Sequence, residues 1–436
     1  LILFIKLIGK RKNLFKIIKE IKFELLIFFL FFLLYFIYAN INIFELNKQS
    51  CQNLPVFVCK NWSTIYFIYF FSFFLIFKEF KDINFSKIII NTGVIFSIIG
   101  LIYFFYLILY SQFDIQKYYY FTDKLGVGPE MIRIFPHFSV TYTESSRNYE
   151  IFPILIAKLF IIYEMIKSEN KKISFKDLLI FSLLSVFIFY SYSRLIWIMD
   201  GAIFLSLIIL YNNKFKILKL YTLNVFIILI LMSSFTYIYN FSKILNWETN
   251  QNVRTNITYY TLGRVSTLFS DNLTNYFNKK NQQAWFYYAP EKYKLDIANN
   301  NFNSEKEKIE IFENKVKKFM NSNFNSNEQR KLIYTEGINK FIEKPFGYGV
   351  MSAPVRGSNA ESGILQVALE VGIFGLILFL IILFYPMILI LKSKNTMNLT
   401  LFTFCIVIFI SQIFTVYLWY NFLWFYLGLI LGLIKR

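Results

Sequence analysis

Long apolar runs recur along the chain and are separated by short segments rich in lysine. Several windows hold about 18 or more apolar residues with few charges, which is the length that an α-helix needs to cross a bilayer. We therefore predict about ten membrane-spanning helices, and the lysine-rich inner loops place both termini in the cytoplasm. The predicted spans cover residues 23–44, 62–77, 88–110, 151–166, 178–190, 195–211, 220–239, 371–391, 399–417 and 421–434.

One long polar segment interrupts this pattern. Residues 241–370 follow the seventh predicted span, and the pattern predicts that they form a large extracytoplasmic loop containing amphipathic helices. Within this loop, residues 305–320 pair opposite charges at i,i+4 spacing, which predicts a surface helix. The chain is thus expected to comprise membrane helices in residues 1–240, the loop in 241–370 and further membrane helices in 371–436.

A second amphipathic helix is predicted near the end of this loop. Ser326 and Gln329 have the spacing of a capping box, apolar residues recur at helical spacing after them, and Pro345 with Gly347 ends the pattern. Arg330 would then lie in the first helical turn, where the helix dipole disfavours a cation. The position of this arginine therefore needs another reason.

A short polar segment follows the glycine-rich turn. Residues 361–370 are too polar to cross lipid, but they lead into about 20 apolar residues from Val371 that are long enough to do so. We therefore expect three elements to meet at the outer end of a membrane helix: the arginine-bearing helix, the turn and the carboxylate of Glu361.

Composition excludes several classes of protein. Hydrophobic residues make up 56% of the chain and phenylalanine occurs 54 times, more than the core of a soluble domain needs. The net charge of +19 could suggest nucleic-acid binding, but the cations cluster in loops between spans, so nucleic acid is not expected as a partner. A single histidine argues against Cys/His metal sites. Cys51 and Cys59 share one loop, where a disulfide and two free thiols both remain open, and Cys405 is expected to pack inside a span.

Arginine and lysine are distributed differently along the chain. Of the 46 Lys and Arg residues, nine are arginines, and the predicted inner loops use lysine almost throughout. Seven arginines are predicted to face outward: Arg133, Arg147, Arg194, Arg254, Arg264, Arg330 and Arg356. A guanidinium offers a rigid fork that binds phosphate or carboxylate through two hydrogen bonds, which an ammonium does not. All of these except Arg254 are candidate substrate-binding residues, whereas contacts to anionic lipids and structural ion pairs are the alternative explanation.

Among the carboxylates, Glu361 is the best placed for acid–base chemistry. It begins the short polar segment near Arg356, and as a general base it would take the proton of a sugar hydroxyl. A carboxylate favoured by the helix dipole, or an ion pair with Arg356, is the alternative. Glu370 is expected to face the headgroup layer in an orienting or structural role. Asp200, an acid inside a predicted span, is expected to be paired.

Three stretches resemble a known enzyme superfamily. They read R-K-L-I-Y-T-E-G-I-N-K-F-I-E-K-P-F-G-Y-G-V from residue 330, A-E-S-G-I-L-Q-V-A-L-E-V-G-I-F-G-L-I-L-F from residue 360, and S-Y-S-R-L-I-W from residue 191. Together with the span count and the large outer loop, these stretches resemble the superfamily of O-antigen polymerases and O-antigen ligases (Wzy and WaaL).

The resemblance implies a fold, an activity and a site. The fold would be an all-α polytopic membrane protein similar to the GT-C glycosyltransferases, in the inner membrane of a bacterium, with its large loop in the periplasm. The activity would be a glycosyltransferase that needs no metal or other cofactor and acts on undecaprenyl-diphosphate-linked oligosaccharide. Arg194, Arg264 and Arg330 would hold the donor diphosphate. Membrane lipid and a chain-length regulator protein are expected as further partners.

Within the superfamily the polymerase branch is preferred. Ligases carry a His-Asn pair where this chain has Glu361 and Ser362, and the expected reaction is transfer of the growing glycan to a new lipid-linked repeat unit. The alternatives are a ligase, which transfers glycan to a lipid A-core acceptor, and a lipid-linked oligosaccharide flippase or transporter. A transporter would carry charges along its spans, whereas this chain concentrates them in loops and rarely interrupts a predicted span with Pro or Gly.

Overall fold

The structure, a computed structural model, describes only part of the chain. It covers residues 22–40, 62–79, 84–110, 147–167, 173–191, 193–241, 326–350, 360–392, 395–415 and 421–434. Regular secondary structure in these residues is entirely α-helical. The helices are α1 (Lys22–Asn40), α2 (Trp62–Glu79), α3 (Phe85–Tyr110), α4 (Arg147–Lys167), α5 (Phe175–Tyr190), α6 (Arg194–Leu210), α7 (Lys214–Phe241), α8 (Ser326–Glu343), α9 (Gly363–Leu391), α10 (Thr396–Phe414) and α11 (Asn421–Leu433).

The helices fall where the apolar pattern predicts them. Each predicted span coincides with one helix, and α8 is the predicted amphipathic helix. Within the described residues, three helices are long and apolar enough to cross a membrane, namely α9, α10 and the part of α3 at Phe85–Ile102. Leu25–Asn40 and Leu423–Leu433 form shorter apolar helices. The helical fold of the described residues is confirmed and is consistent with a membrane protein, whereas the count of about ten spans, the large outer loop and the sidedness of the termini remain predictions.

The chain divides into two compact units. The first comprises Leu1–Phe85, Gly201–Lys214 and Glu328–Arg436, and the second comprises Ser86–Asp200 and Phe215–Asn327. Cys405 is buried in the first unit, as predicted. The predicted surface helix at residues 305–320 and the loop with Cys51 and Cys59 lie outside the described residues.

Aromatic rings fill the core of the first unit. Trp424 of α11 is fully buried and packs against Phe31 and Phe32 of α1. Phe28 of α1 stacks on Phe70 of α2, with ring centroids 3.9 Å apart. Aromatic pairs contribute about 1 kcal/mol each beyond the area they bury. The phenylalanine-rich sequence thus joins α1, α2 and α11 into one layer.

The second unit is organised around a buried ion pair. The fully buried ammonium of Lys158, near the middle of α4, contacts the Asp200 carboxylate of α6 at 2.8 Å. It also lies 4.7 Å from the ring centroid of Tyr221 (α7) and 5.3 Å from that of Phe181 (α5). Four helices therefore meet at one buried cation. The predicted pairing of Asp200 is confirmed, and its partner is a lysine that the sequence analysis did not single out.

Helix α9 is broken near its start. Gly372 adopts φ 69° and ψ −162°, a conformation that is essentially restricted to glycine. A short helical segment before Gly372 is therefore separate from the long apolar segment after it. The break falls one residue after Val371, where the membrane-crossing segment is predicted to start, and that start remains a prediction.

The turn after α8 fills this break with backbone hydrogen bonds. The N–H groups of Tyr348 and Gly349 donate to the carbonyls of Leu369 and Glu370, at 2.6 and 3.0 Å. In return, the N–H group of Ile373 donates to the carbonyl of Pro345 at 2.9 Å. The turn thus supplies the backbone partners that the missing helical turn would have provided.

Replacing Gly372 with Ala should destabilise the protein strongly. The added Cβ would lie 2.5 Å from the Pro345 carbonyl oxygen, and the alanine would have to adopt a positive φ. This backbone conformation alone costs a non-glycine residue about 1–3 kcal/mol, and the steric clash adds to this cost. Gly201→Ala is the matched control, because nothing lies within 4 Å of its Cβ position. Thermal unfolding in detergent measures both, and equal melting temperatures would contradict the close approach at Gly372.

Replacing Lys158 with Met should also destabilise the protein, by about 3 kcal/mol, because Asp200 would keep a charge without its cation. The double variant Lys158→Met with Asp200→Asn removes both charges and should recover most of the loss. The same unfolding measurement compares the two variants. If the Lys158→Met variant were as stable as the wild type, the ion pair would not hold the four helices together.

Candidate functional site

The candidate site is built where α8 meets the start of α9. Ile333 and Phe341, which lie on one side of α8, pack against Ala360 and Leu369, which flank the short segment of α9. Tyr348 from the turn packs against the same two residues. The helical spacing of the apolar residues in α8 therefore fixes which side of this helix faces the polar segment at residues 360–362.

An ion pair links the two elements at this site. The Nε atom of Arg330 donates to the Oε2 atom of Glu361 at 2.7 Å. Both side chains are partly open to solvent, with exposed fractions of 41% and 42%. The sequence placed Arg330 in a turn that disfavours cations, and the nearby carboxylate supplies the missing reason. The alternative partner considered for Glu361, Arg356, lies outside the described residues.

A tyrosine supports this ion pair from the same helix. The hydroxyl of Tyr334 donates to the backbone carbonyls of Glu361 and Ile413, both at 3.4 Å. Burial raises the pKa of the Tyr334 hydroxyl, the Arg330 guanidinium partly lowers it, and the Glu361 carboxylate raises it again. Tyr334 therefore remains a neutral hydrogen-bond donor at neutral pH and connects α8 to both α9 and α10.

Glu361 has an unusual backbone conformation. Its φ is +51°, and it is the only non-glycine residue with positive φ among the described residues. The sequence predicted that Glu361 begins the short helix, but Ser362 is the N-cap of α9. The Ser362 side chain accepts a hydrogen bond from the N–H group of Leu365. A glutamate in this region costs about 1–2 kcal/mol of backbone strain. Strain of this kind clusters at functional sites.

The segment that carries Glu361 is also tied to the end of α10. The Ser362 hydroxyl donates to the Gln412 carbonyl at 3.1 Å, and the Gly363 N–H group donates to the Thr415 carbonyl at 3.2 Å. The backbone on the C-terminal side of Glu361 is thus held by two bonds from a second membrane helix.

A buried polar chain holds the N-terminal side of the same segment. The Gln366 side chain accepts from the Ala360 N–H group at 3.0 Å, and its amide donates to the Glu370 carboxylate at 3.0 Å. The Glu370 carboxylate in turn interacts electrostatically with the Tyr35 hydroxyl of α1. Gln366, Glu370 and Tyr35 are completely buried. The expectation that Glu370 faces the headgroup layer is wrong, and an orienting role through Gln366 fits its position.

The structure brings together two of the predicted site residues, Arg330 and Glu361. Arg194 begins α6 in the second unit, directly after the tip of the predicted hairpin, and Arg147 begins α4 in the same unit. Three further predicted site residues lie outside the described residues, so their assignment stays a prediction: Arg133, Arg264 and Arg356. Among the described residues, no three His, Cys, Asp or Glu side chains gather in a group that could hold a metal ion.

Sequence reasoning missed several residues that shape the site. Tyr334 and Gln366 carry no charge, and the motifs that contain them gave no signal that they hold the segment around Glu361. Tyr35 lies in a phenylalanine-rich span far away in sequence. Lys158, which lies outside this site, did leave a signal in the sequence, because a lysine inside an apolar run is costly and therefore informative.

The backbone strain at Glu361 can be measured by comparing Glu361→Gly with Glu361→Ala. Both variants lack the carboxylate, but only glycine accepts positive φ without strain, so the glycine variant should be the more stable by about 1 kcal/mol. Thermal unfolding in detergent gives this difference. An alanine variant of equal or greater stability would show that the backbone is not held in the left-handed region.

Comparison with known families identifies the segment that contains this site. Residues 179–380 match the sequence model of the family described as O-antigen ligase, and the matched part is somewhat less than half of the 436 residues. The match begins within α5 and ends within α9, so it contains both Arg330 and Glu361. Neither the curated proteins nor the solved structures gave a match. The family match supports the superfamily of O-antigen polymerases and ligases, which are membrane glycosyltransferase-like enzymes, and does not distinguish its two branches.

Proposed function

We propose that this protein is a polysaccharide repeat-unit polymerase. It moves the growing glycan from one undecaprenyl diphosphate to the non-reducing end of a new lipid-linked repeat unit, on the outer face of the bacterial inner membrane. The observation that carries the proposal is the ion pair between Arg330 and Glu361, which lies inside the segment that matches the O-antigen ligase family. This ion pair joins a phosphate-binding group, the guanidinium, to a proton acceptor, the carboxylate, at the start of a membrane helix.

The guanidinium of Arg330 has binding capacity left for the donor. Its Nε atom is bonded to Glu361, and within the described part of the chain its two Nη atoms make no hydrogen bond. A guanidinium has five donors, and its Nη edge matches the geometry of a phosphate. Arg330 can therefore hold the donor diphosphate through Nη while it orients Glu361 through Nε.

The reaction follows from these two groups. Glu361 accepts the proton of the acceptor sugar hydroxyl as that oxygen attacks the anomeric carbon of the donor glycan. The bond between this carbon and the diphosphate oxygen breaks, and the electron pair leaves with the undecaprenyl diphosphate. The negative charge that develops on the diphosphate is stabilised by the fixed guanidinium. We infer that arginines supply this stabilisation without a metal, and that Arg194 and Arg264 contribute to it from other parts of the chain.

The other arginines and the partners expected from the sequence belong to the same proposed function. Arg133, Arg147 and Arg356 are assigned to the substrate-binding outer face. Membrane lipid surrounds the protein, and a chain-length regulator protein is a partner. The residue pair at Glu361 and Ser362 favours the polymerase over the ligase, because the resemblance assigns a His-Asn pair to the ligases at this place. The ligase is therefore the competing assignment that the assay has to separate.

The decisive assay uses purified protein in liposomes that contain lipid-linked repeat units. A polymerase produces a ladder of polymer lengths, whereas a ligase produces no ladder and transfers its glycan only when a lipid A-core acceptor is supplied. A flippase moves the substrate between leaflets and leaves it chemically unchanged. Relocated but unaltered substrate would therefore overturn the enzyme assignment, and product formed only with lipid A-core would replace the polymerase by the ligase.

In this assay, Arg330→Lys should lower the rate of polymer formation by about 100-fold, since lysine keeps the charge and loses the fork. Glu361→Gln should lower the rate by about 100-fold or more, because the amide cannot accept the proton. Glu343→Gln is the matched control, as it changes a carboxylate in an exposed ion pair on the same helix and should leave the rate near that of the wild type. Wild-type ladders from both site variants would refute the proposed roles.

A further inference from the structure

Helix α8 carries three lengthwise stripes of different chemistry. The inner stripe consists of Ile333, Gly337 and Phe341 at i, i+4 and i+8, and it includes the two residues that pack against the start of α9. The apolar stripe consists of Ile338 and Ile342 and is continued by Phe346 in the following turn. The charged stripe consists of Glu336, Lys340 and Glu343. At about 100° per residue, the apolar and charged stripes lie on opposite flanks of the inner stripe.

The apolar stripe is not covered by the part of the protein that the structure describes. Ile338, Ile342 and Phe346 are 51%, 69% and 60% exposed. Phe374 and Ile377, on the membrane-crossing part of α9, have similar exposed fractions of 57% and 49%. On a spanning helix such side chains contact lipid. The residues of the apolar stripe are therefore exposed to the same degree as lipid-facing residues of this protein.

The apolar stripe is continuous with the lipid-facing surface of α9. The ring of Phe346 packs on the ring of Phe374, with centroids 6.1 Å apart. The carbonyl of Phe346 accepts a hydrogen bond from the Tyr38 hydroxyl, near the C-terminal end of α1, at 2.8 Å. Helices α1 and α9 thus fix the end of the apolar stripe beside the start of the long apolar segment of α9.

The charged stripe has the character of a surface in water. Lys340 and Glu343 form an exposed ion pair at 2.7 Å. Their hydrogen bond raises the pKa of Lys340 and lowers the pKa of Glu343, so both groups are charged over a wide range of pH. A helix with an apolar flank, an opposite charged flank and low overall hydrophobicity is typical of segments that lie in the plane of a membrane interface.

We propose that α8 is an interfacial helix whose apolar stripe inserts into the outer leaflet of the bilayer. The occupant of this surface is the acyl region of membrane lipid, reached from the lipid-facing side of α9. The C-terminal end of α8 lies deepest, because Ile342 and Phe346 are the most exposed residues of the apolar stripe and Phe346 contacts α9. Lys331, on the same flank near the other end, marks where the helix rises to the headgroups. This inference does not depend on the enzymatic activity.

Depth-dependent fluorescence quenching tests this placement in the full-length chain. The background carries Cys51→Ser, Cys59→Ser and Cys405→Ala, and single cysteines replace Ile338, Ile342 or, as the control, Lys340. Each is labelled with an NBD dye and placed in phosphatidylcholine nanodiscs with or without doxyl-labelled lipid. The dye at 338 and 342 should be quenched by the doxyl lipid roughly two-fold more than the dye at 340, which aqueous iodide should quench instead.

Two outcomes would overturn the proposal. Equal iodide quenching at all three positions would place the apolar stripe in water, and quenching by neither reagent at 338 and 342 would show that another part of the protein covers it. The unlabelled cysteine variants give a second measurement. A charged, membrane-impermeant thiol reagent should modify cysteine at 342 about ten-fold more slowly than cysteine at 340. Equal rates would contradict insertion even if a dye distorts the helix.

Discussion

Backbone hydrogen bonding between the turn after α8 and the broken start of α9 holds the candidate site in place. An unpaired carbonyl or N–H group costs several kcal/mol in lipid, so a spanning helix can be interrupted only where other groups replace its partners. The turn at residues 345–349 does so. Gly347 and Gly372 make this possible, since a Cβ at Gly347 would lie 2.6 Å from the Glu370 carbonyl oxygen. Because the two elements are joined by backbone, the ion pair that lies on them has a defined geometry.

A carboxylate with a strained backbone needs support on both sides, and the protein provides it from different helices. On one side, the polar chain from Tyr35 through Glu370 and Gln366 ends on the backbone next to Glu361. On the other side, the end of α10 holds Ser362 and Gly363. Three membrane helices thus oppose relaxation of this segment. A proton acceptor held in this way loses little freedom when a substrate hydroxyl arrives, which is how preorganised groups lower a barrier.

The sequence predicts the helices well because lipid imposes a simple rule, and a run of apolar residues of sufficient length is visible without a structure. It also predicts that Arg330 is unusual, because the helix dipole gives each position in α8 a preference. It does not predict which arginine faces Glu361, since Arg356 is closer in sequence and Arg330 is brought near by packing of Ile333 and Phe341. Nor does it predict that Glu370 is buried, because its surroundings are set by α1, more than 300 residues away.

The buried ammonium of Lys158 has a consequence for how the chain enters the membrane. The apolar pattern predicts that α4 spans the membrane, and a lysine near the centre of such a span costs about 3 kcal/mol on insertion. By itself, α4 would therefore be a poor membrane segment. Its counterion Asp200 is 42 residues further along the chain and belongs to α6, which has a similar defect. Each helix neutralises the charge of the other only once both have left the ribosome. Stable integration of α4 is therefore expected to await α6, which makes this part of the chain assemble as a group of helices rather than one helix at a time.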